Sequence, residues 1–501
     1  MYGFSRNVFL LALVAIALTA GMSAAQTVVS GGDVSGLWEA TGSPYLIEGE
    51  ITVPAGDTLS IAPACSIIFQ GHYKLVVNGI LEAVGTETDS IIFTVADQDS
   101  GWHSIRFISA ADSSHLSYCL IEYGRATGDY PDNRGGGIYC NDSNPVISHC
   151  TVRENSAISG GGIACDNNSD ARITSCDVSD NSALNSDGGG IHCWNGSDPD
   201  VSFCIISGNF SMYYGAGVFC GSSSNPTIDR CTISRNSANA GGGGLNSYLS
   251  NPVIINSIVE GNTGSGGVNL YGSGGTSITY SDFYNNSGGN FTGNSIPSGL
   301  GVVTAVNANG DPCDVFNNIF LNPLFEDPSN GDFQITWANF PTWDATRSPC
   351  IDAGNPDSLN FDPDSTVADM GALHFDQSTF PPVPDIEVSS SLLDFGSVTV
   401  GSQAALPLTI YNLGNRALVI NDIYASDPSF STNFNPADSL VFPTDSLFIT
   451  VFFDPQDTVA YDEALTIEND DELTEIGLQG IGTPPPEPAI SVRRTRWLSI
   501  R

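Results

Sequence analysis

Short apolar runs alternate with polar residues along most of this chain, and one motif recurs through its middle. The motif is an apolar residue, two residues, Cys, one residue, an apolar residue, two residues, Asn. It reads Ile147-Cys150-Val152-Asn155, Ile173-Cys176-Val178-Asn181, Val201-Cys204-Ile206-Asn209 and Ile228-Cys231-Ile233-Asn236. Two further copies carry Ser for Cys: Ile254-Ser257-Val259-Asn262 and Ile278-Ser281-Phe283-Asn286. A period that tolerates slips of a residue or two, with a constant motif inside it, marks a solenoid of stacked coils.

Each copy also has a second strand pattern, opened by glycines. Gly135-Gly136-Gly137-Ile138, Gly160-Gly161-Gly162-Ile163 and Gly188-Gly189-Gly190-Ile191 are followed by Gly215-Ala216-Gly217-Val218 and Gly242-Gly243-Gly244-Leu245. Glycine permits sharp or positive-φ backbone where a coil turns. Asn144-Pro145, Asn225-Pro226 and Asn251-Pro252 mark the next corner. Ahead of the clear repeats, residues 48–107 carry runs such as Ile51-Thr52-Val53 and Ile67-Ile68-Phe69 parted by turn residues. No segment has a helical period. The pattern predicts an all-β chain built on a parallel β-helix.

The repeat positions predict roles. Cys150, Cys176, Cys204 and Cys231 share one position, and Cys140, Cys165, Cys193 and Cys220 share another. Residues at one position stack on neighbouring coils about 4.8 Å apart. Buried Cys fills such a column as a small hydrophobe, whereas a disulfide prefers Cα atoms about 5.5–6 Å apart. Stacked thiols are therefore favoured over the disulfides usual in exported chains. Cys313 and Cys350 lie outside the columns and are candidates to pair. Asn155, Asn181, Asn209, Asn236, Asn262 and Asn286 are expected to bond one another and the turn backbone. They are also expected to use the left-handed conformation that Asn tolerates.

Near the end of the solenoid stand Asn322-Pro323-Leu324-Phe325, Gly331-Asp332-Phe333, Ser348-Pro349-Cys350-Ile351-Asp352-Ala353-Gly354 and Ala368-Asp369-Met370-Gly371-Ala372. With these strings, residues 26–376 resemble right-handed parallel β-helix proteins of the pectate-lyase-like superfamily, and within it a secreted bacterial group with a recurrent coil-closing segment. Residues 377–384 read as a linker. Beyond it, Leu393-Asp394-Phe395-Gly396, Asn412-Leu413-Gly414-Asn415 and Phe452-Phe453-Asp454-Pro455 place residues 385–483 in an immunoglobulin-like β-sandwich. This part resembles the abnormal-spindle and hydin type, which implies a spacer or adhesion unit. In the tail, 484–501, Pro488-Ala489-Ile490-Ser491-Val492 echoes Pro384-Asp385-Ile386-Glu387-Val388, as if a second sandwich began.

Composition narrows the function. The 501 residues include 55 acidic and only 15 basic side chains, for a net charge of -40. Charged residues make up 14% of the chain, against about 25% in typical domains, so the chain is base-poor rather than acid-rich. That argues strongly against nucleic acid and anionic membrane surfaces as partners. Residues 1–25 read as a signal peptide: Arg6, an apolar stretch from Val8 to Ala20, and the small residues Ser23-Ala24-Ala25. No later stretch is long and apolar enough to span a membrane as a helix. A monomer, secreted or held at the cell surface, is expected.

For chemistry, the resemblance implies two options. A lyase of the superfamily needs a Lys or Arg base and Ca²⁺ held by acids. The solenoid bases are Lys74, Arg106, Arg125, Arg134, Arg153, Arg172, Arg230, Arg235 and Arg347, with Asp166, Asp177, Asp180, Asp187, Asp198 and Asp200 as candidate Ca²⁺ ligands. Arg172 and Arg230 are placed at corners before Cys. Nothing in the sequence pairs one base with one acid cluster, so no catalytic residue is assigned. The paired-carboxylate strings of a polygalacturonase-type hydrolase are absent. A binding face is easier to draw. Alternation on the glycine-led strands points Tyr139/Asn141, Ala164/Asp166, His192/Trp194, Phe219/Gly221, Asn246/Tyr248 and Asn269/Tyr271 outward. Aromatic rings stack on sugars and amides bond hydroxyls, so Tyr139, Asn141, His192, Trp194, Phe219, Asn246, Tyr248 and Tyr271 are candidates for binding a polysaccharide or cell-surface glycan. The leading reading is a non-catalytic exported protein, with a Ca²⁺-dependent pectate-type lyase as the alternative.

Overall fold

The computed structural model describes residues 26–357, 361–378, 384–414, 417–436, 440–443, 445–471 and 473–486. The expected signal peptide, residues 379–383 of the linker and the tail beyond residue 486 lie outside them. The chain forms two compact units that divide between Phe375 and Asp376.

The first unit is a parallel β-helix. Its coils feed three long sheets of 11, 11 and 10 strands. One sheet holds the strands that follow the motif Cys, such as Thr151–Arg153 and Asp177–Ser179. A second holds the glycine-led strands, such as Ile138–Asn141, Ile163–Asp166 and Ile191–Trp194. The third holds Val146–Ser148 and its equivalents. Val152 pairs with Val178, and Cys140 with Cys165. Repeat positions therefore stack in columns, and one apolar core runs the length of the solenoid.

The inner columns are polar-tipped at the corners. The Cys150 N–H donates to Cys176 Sγ at 3.5 Å, and the Cys176 N–H to Cys204 Sγ at 3.4 Å. Where the motif changes to Ser, the hydroxyl takes over: Cys231 N–H donates to Ser257 Oγ at 3.0 Å, and Ser257 N–H to Ser281 Oγ at 3.1 Å. All twelve cysteines are free and buried. Cys313 and Cys350, candidates for a disulfide, share a buried cluster but stay unpaired; the Cys350 thiol instead lies 3.6 Å from Asp282 Oδ2. Burial pushes the Cys220 thiol up to about 12, so little reactive thiolate exists at neutral pH. Thiol titration of the native protein is expected to detect none of the twelve groups until guanidinium is added. Rapid reaction of several in native buffer would contradict the stacked columns.

The Asn column is a continuous amide ladder. Asn155, Asn181, Asn209, Asn236 and Asn262 each donate from Nδ2 to Oδ1 of the next, at 2.9–3.1 Å. Each Oδ1 from Asn181 to Asn286 also accepts the backbone N–H of the Asn before it. The expected left-handed backbone is not at these Asn residues. It falls one residue earlier, at Glu154, Asp180, Gly208, Arg235, Gly261 and Asn285. The reason is that the amide must point inward to its neighbours, so the preceding residue takes the bend.

Above the ladder, the third glycine of each triplet leaves room. A Cβ on Gly190 would come within 2.7 Å of Gly217 O and 3.0 Å of Asn209 Nδ2. A second ladder escaped the sequence reading. Ser143, Ser169, Ser197 and Ser224 each donate a backbone N–H to the Oγ of the next Ser, ending at Ser250. Serine is too common in this chain for the period to stand out. Arg172 is also corrected: it lies in the strand Arg172–Thr174, while Arg230 does hold a left-handed corner at φ 48°.

The coil-closing segment folds back rather than adding coils. Gly371 N–H donates to Asn256 O, Ala372 N–H to Thr232 Oγ1, and Asn355 N–H to Asn256 Oδ1. It thereby covers the outside of the Cys-led sheet around Ile258.

The second unit is a sandwich of a four-stranded and a five-stranded sheet around Leu408, Ile410, Val451, Phe453, Leu465, Ile467 and Leu478. Asp470 and Asp471 lie in its turns, where they bond backbone N–H groups of Val419 and Ile386.

Candidate functional site

The glycine-led sheet carries the candidate binding residues in two outer rows. Register puts Arg106, Tyr139, Ala164, His192, Phe219 and Asn246 in one row. Asn141, Asp166, Trp194, Gly221, Tyr248 and Tyr271 form the other.

The expectation that both rows face solvent needs correction. Tyr139, His192, Phe219 and Asn246 are buried, although they project from the outer face. The Arg106 guanidinium lies 4.2 Å over the Tyr139 ring, and His192 stacks on Phe219 at 5.3 Å. Arg106 is itself tied to the overlying connection, donating to Arg134 O at 3.0 Å and Pro131 O at 2.9 Å. Asn141 is half-buried and accepts from Asn167 Nδ2 at 2.5 Å. Tyr248 and Tyr271 do face solvent, 41% and 49% exposed, and their rings stack at 5.6 Å. Trp194 is partly exposed and lies across Gly221, where a Cβ would sit 2.6 Å from its ring. Tyr213 and Tyr214, also exposed, stand in a connection beside this face and were not singled out from the sequence.

The basic residues sit at one end of the face. Lys74 Nζ bonds Asp132 Oδ2 at 2.6 Å, and Arg106 Nε lies 3.6 Å from Asp132 Oδ1. Burial raises the Asp132 carboxyl, but its bond to Lys74 and the charges of Lys74 and Arg106 more than offset this and hold it below its usual range. Arg134 Nη1 reaches both Asp166 oxygens, at 3.0 and 3.1 Å. Burial still pushes the Asp166 carboxyl up against the pull of Arg134. Burial, with Arg106 and Lys74 nearby, lowers His103 to about 3. Burial and Arg134 keep His192 well below its ordinary value, so both imidazoles are neutral near pH 7.

This chemistry bears on catalysis. Each of Lys74, Arg106, Arg134, Arg153 and Arg347 has an acidic neighbour within 4 Å, Glu122 for Arg153 and Asp352 for Arg347. The six candidate Ca²⁺ ligands do not converge: among the described residues no group of three or more His, Cys, Asp or Glu side chains is placed to hold a metal. Asp166 is taken by Arg134, Asp187 accepts from the Tyr214 N–H, and Asp198 from the Asn225 N–H. The donor set does not fit Ca²⁺.

The fold and this face define a right-handed β-helix protein with an immunoglobulin-like module. Residues 98–240 and 189–323 match the family model for a right handed beta helix region. Residues 384–481 match the HYDIN/CFA65/VesB-like, Ig-like domain. No curated protein matches the chain. Among solved structures, a protein of unknown function from Porphyromonas gingivalis W83 matches at 19% identity and TM-score 0.18, covering 20% of this chain and 47% of its own. The VesB protease of Vibrio cholerae matches at 16% identity and TM-score 0.17, covering 19% and 31%. PapD-like domain 7 of human CEP192 matches at 15% identity and TM-score 0.18, covering 22% and 94%. The chain thus spans about half the length of the Porphyromonas protein. Among the described residues no helix is long and apolar enough to cross a membrane.

Proposed function

We propose that this is an exported, non-catalytic protein whose β-helix binds an extended polysaccharide or cell-surface glycan along the glycine-led sheet. The observation that carries this reading is the row Trp194, Tyr248 and Tyr271, in register on the outer face, with Gly221 on the one coil between Trp194 and Tyr248. Coils rise by about 4.8 Å, comparable to one sugar unit along an extended chain, so Tyr248 and Tyr271 meet adjacent sugars and Trp194 meets one two coils away, across Gly221. Export rests on the signal-like residues Met1–Ala25. The lyase alternative is disfavoured because the outer-face bases are engaged by acids and the candidate acids are dispersed.

Affinity electrophoresis on a panel of neutral and acidic glycans tests the reading. Trp194→Ala and Tyr248→Ala are each expected to weaken retention five- to tenfold, about 1–1.4 kcal/mol per ring. Retention unchanged in both would reject this face. Release of unsaturated oligouronides that stops on adding a chelator would restore the lyase.

A further inference from the structure

We infer that Lys74 and Arg106 form a recognition site for an acidic sugar substituent, closed in this structure by the chain's own Asp132. This rests on the glycan reading above and adds the class of group recognised.

Three observations converge. First, the chain has only 15 basic residues against 55 acidic ones, yet Lys74, Arg106 and Arg134 gather on one outer face. Second, the carboxylate between Lys74 and Arg106 is not part of the sheet. Asp132 belongs to the connection 123–137, which is longer than its counterparts 154–162, 180–190 and 208–217. In solenoids such insertions map to one face, often the binding face. Third, the positions of the two sides differ. Lys74 and Arg106 stand on sheet strands, and the Arg106 side chain is only 3% exposed. The Asp132 side chain is 42% exposed and flanked by the exposed residues Asp129, Tyr130 and Pro131.

A rigid basic pair facing a carboxylate on a surface loop is arranged for exchange. A uronate carboxylate or a sugar sulfate offers the same acceptor oxygens as Asp132. Displacing Asp132 moves an already exposed side chain into water, while Arg106 keeps its bonds to Arg134 O and Pro131 O. The site lies beside the aromatic row rather than in it: Tyr139 under Arg106 belongs to the neighbouring buried row, and Arg134 links the two, its guanidinium 6.0 Å from Trp194.

The test is affinity electrophoresis of the full chain in polygalacturonate, dextran sulfate and neutral dextran. Asp132→Ala removes the internal competitor and is expected to raise retention by at least one acidic polymer about tenfold, with no change on dextran. Gain on polygalacturonate alone assigns a carboxylate, and gain on dextran sulfate alone assigns a sulfate. The gain should vanish at high salt and in Asp132→Ala/Lys74→Met. Asp132→Asn keeps the loop's shape, so it serves if the alanine variant folds poorly, and the same gain is expected. No gain in either variant, or an equal gain on dextran, overturns the inference. Wild-type retention that depends on Trp194 would leave the glycan reading standing in that event.

Discussion

Asn209→Ala is expected to destabilise the β-helix by about 4–6 kcal/mol. Asn209 is wholly buried and makes four side-chain bonds. Its Oδ1 accepts the Asn181 N–H at 3.0 Å and Asn181 Nδ2 at 3.1 Å. Its Nδ2 donates to Val178 O at 2.8 Å and Asn236 Oδ1 at 2.9 Å. Alanine deletes all four and leaves the Asn181 N–H buried without this acceptor. An orphaned buried donor costs about 1–3 kcal/mol, and each further lost bond about 1 kcal/mol. Urea unfolding followed by tryptophan fluorescence measures the loss. Asn286→Ala at the end of the ladder supplies a comparison. Asn286 also makes four side-chain bonds, accepting from the Asn262 N–H and Nδ2 and donating to Val259 O and to Asn290 Oδ1 in place of a further rung, so a loss of similar size is expected there. A loss below about 1 kcal/mol at Asn209 would mean that the ladder is incidental to coil stacking.

Arg134→Leu is expected to cost about 2–4 kcal/mol at pH 8, because it strands a buried carboxylate. Asp166 is fully buried, and among the described residues Arg134 is its only ion-pair partner with a permanent charge. The remaining neighbours are the Tyr139 hydroxyl at 3.4 Å and the neutral His192, whose Nδ1 has no hydrogen-bond partner. Without Arg134 the raised Asp166 carboxyl rises further. A carboxyl whose folded value lies above its unfolded value contributes stability at low pH and loses it as pH rises. The penalty should therefore shrink between pH 8 and pH 4. The double change Arg134→Leu/Asp166→Leu should recover most of the loss at pH 8. A penalty that is flat with pH, or no recovery in the double variant, would show that Arg134 acts through packing on Tyr130 and Trp194 instead.

Both expectations involve residues that sequence reading treated unequally. The ladder was legible because Asn recurs with the coil period and its amide has both donor and acceptor groups. Its backbone was misjudged: the bend belongs to the residue before, and side-chain preference alone cannot say which of two neighbours turns. The Asp166–Arg134 pair was invisible because its members lie on different coils and neither recurs. Tyr213 and Tyr214 were missed for a related reason, since they stand in a connection of variable length rather than at a repeat position.

Period, alternation and corner residues determined the solenoid, its inner columns and the separate sandwich. They could do so because stacking makes each coil's environment a copy of its neighbour's, so one motif states the rule many times. Which outward residues meet solvent was decided by tertiary structure alone. The connection 123–137 buries Tyr139 beneath Arg106, aromatic stacking buries His192 and Phe219, and the folded-back segment covers the Cys-led sheet. Alternation tells inside from outside only for the sheet itself. What lies over that sheet depends on irregular segments, and each of those occurs once.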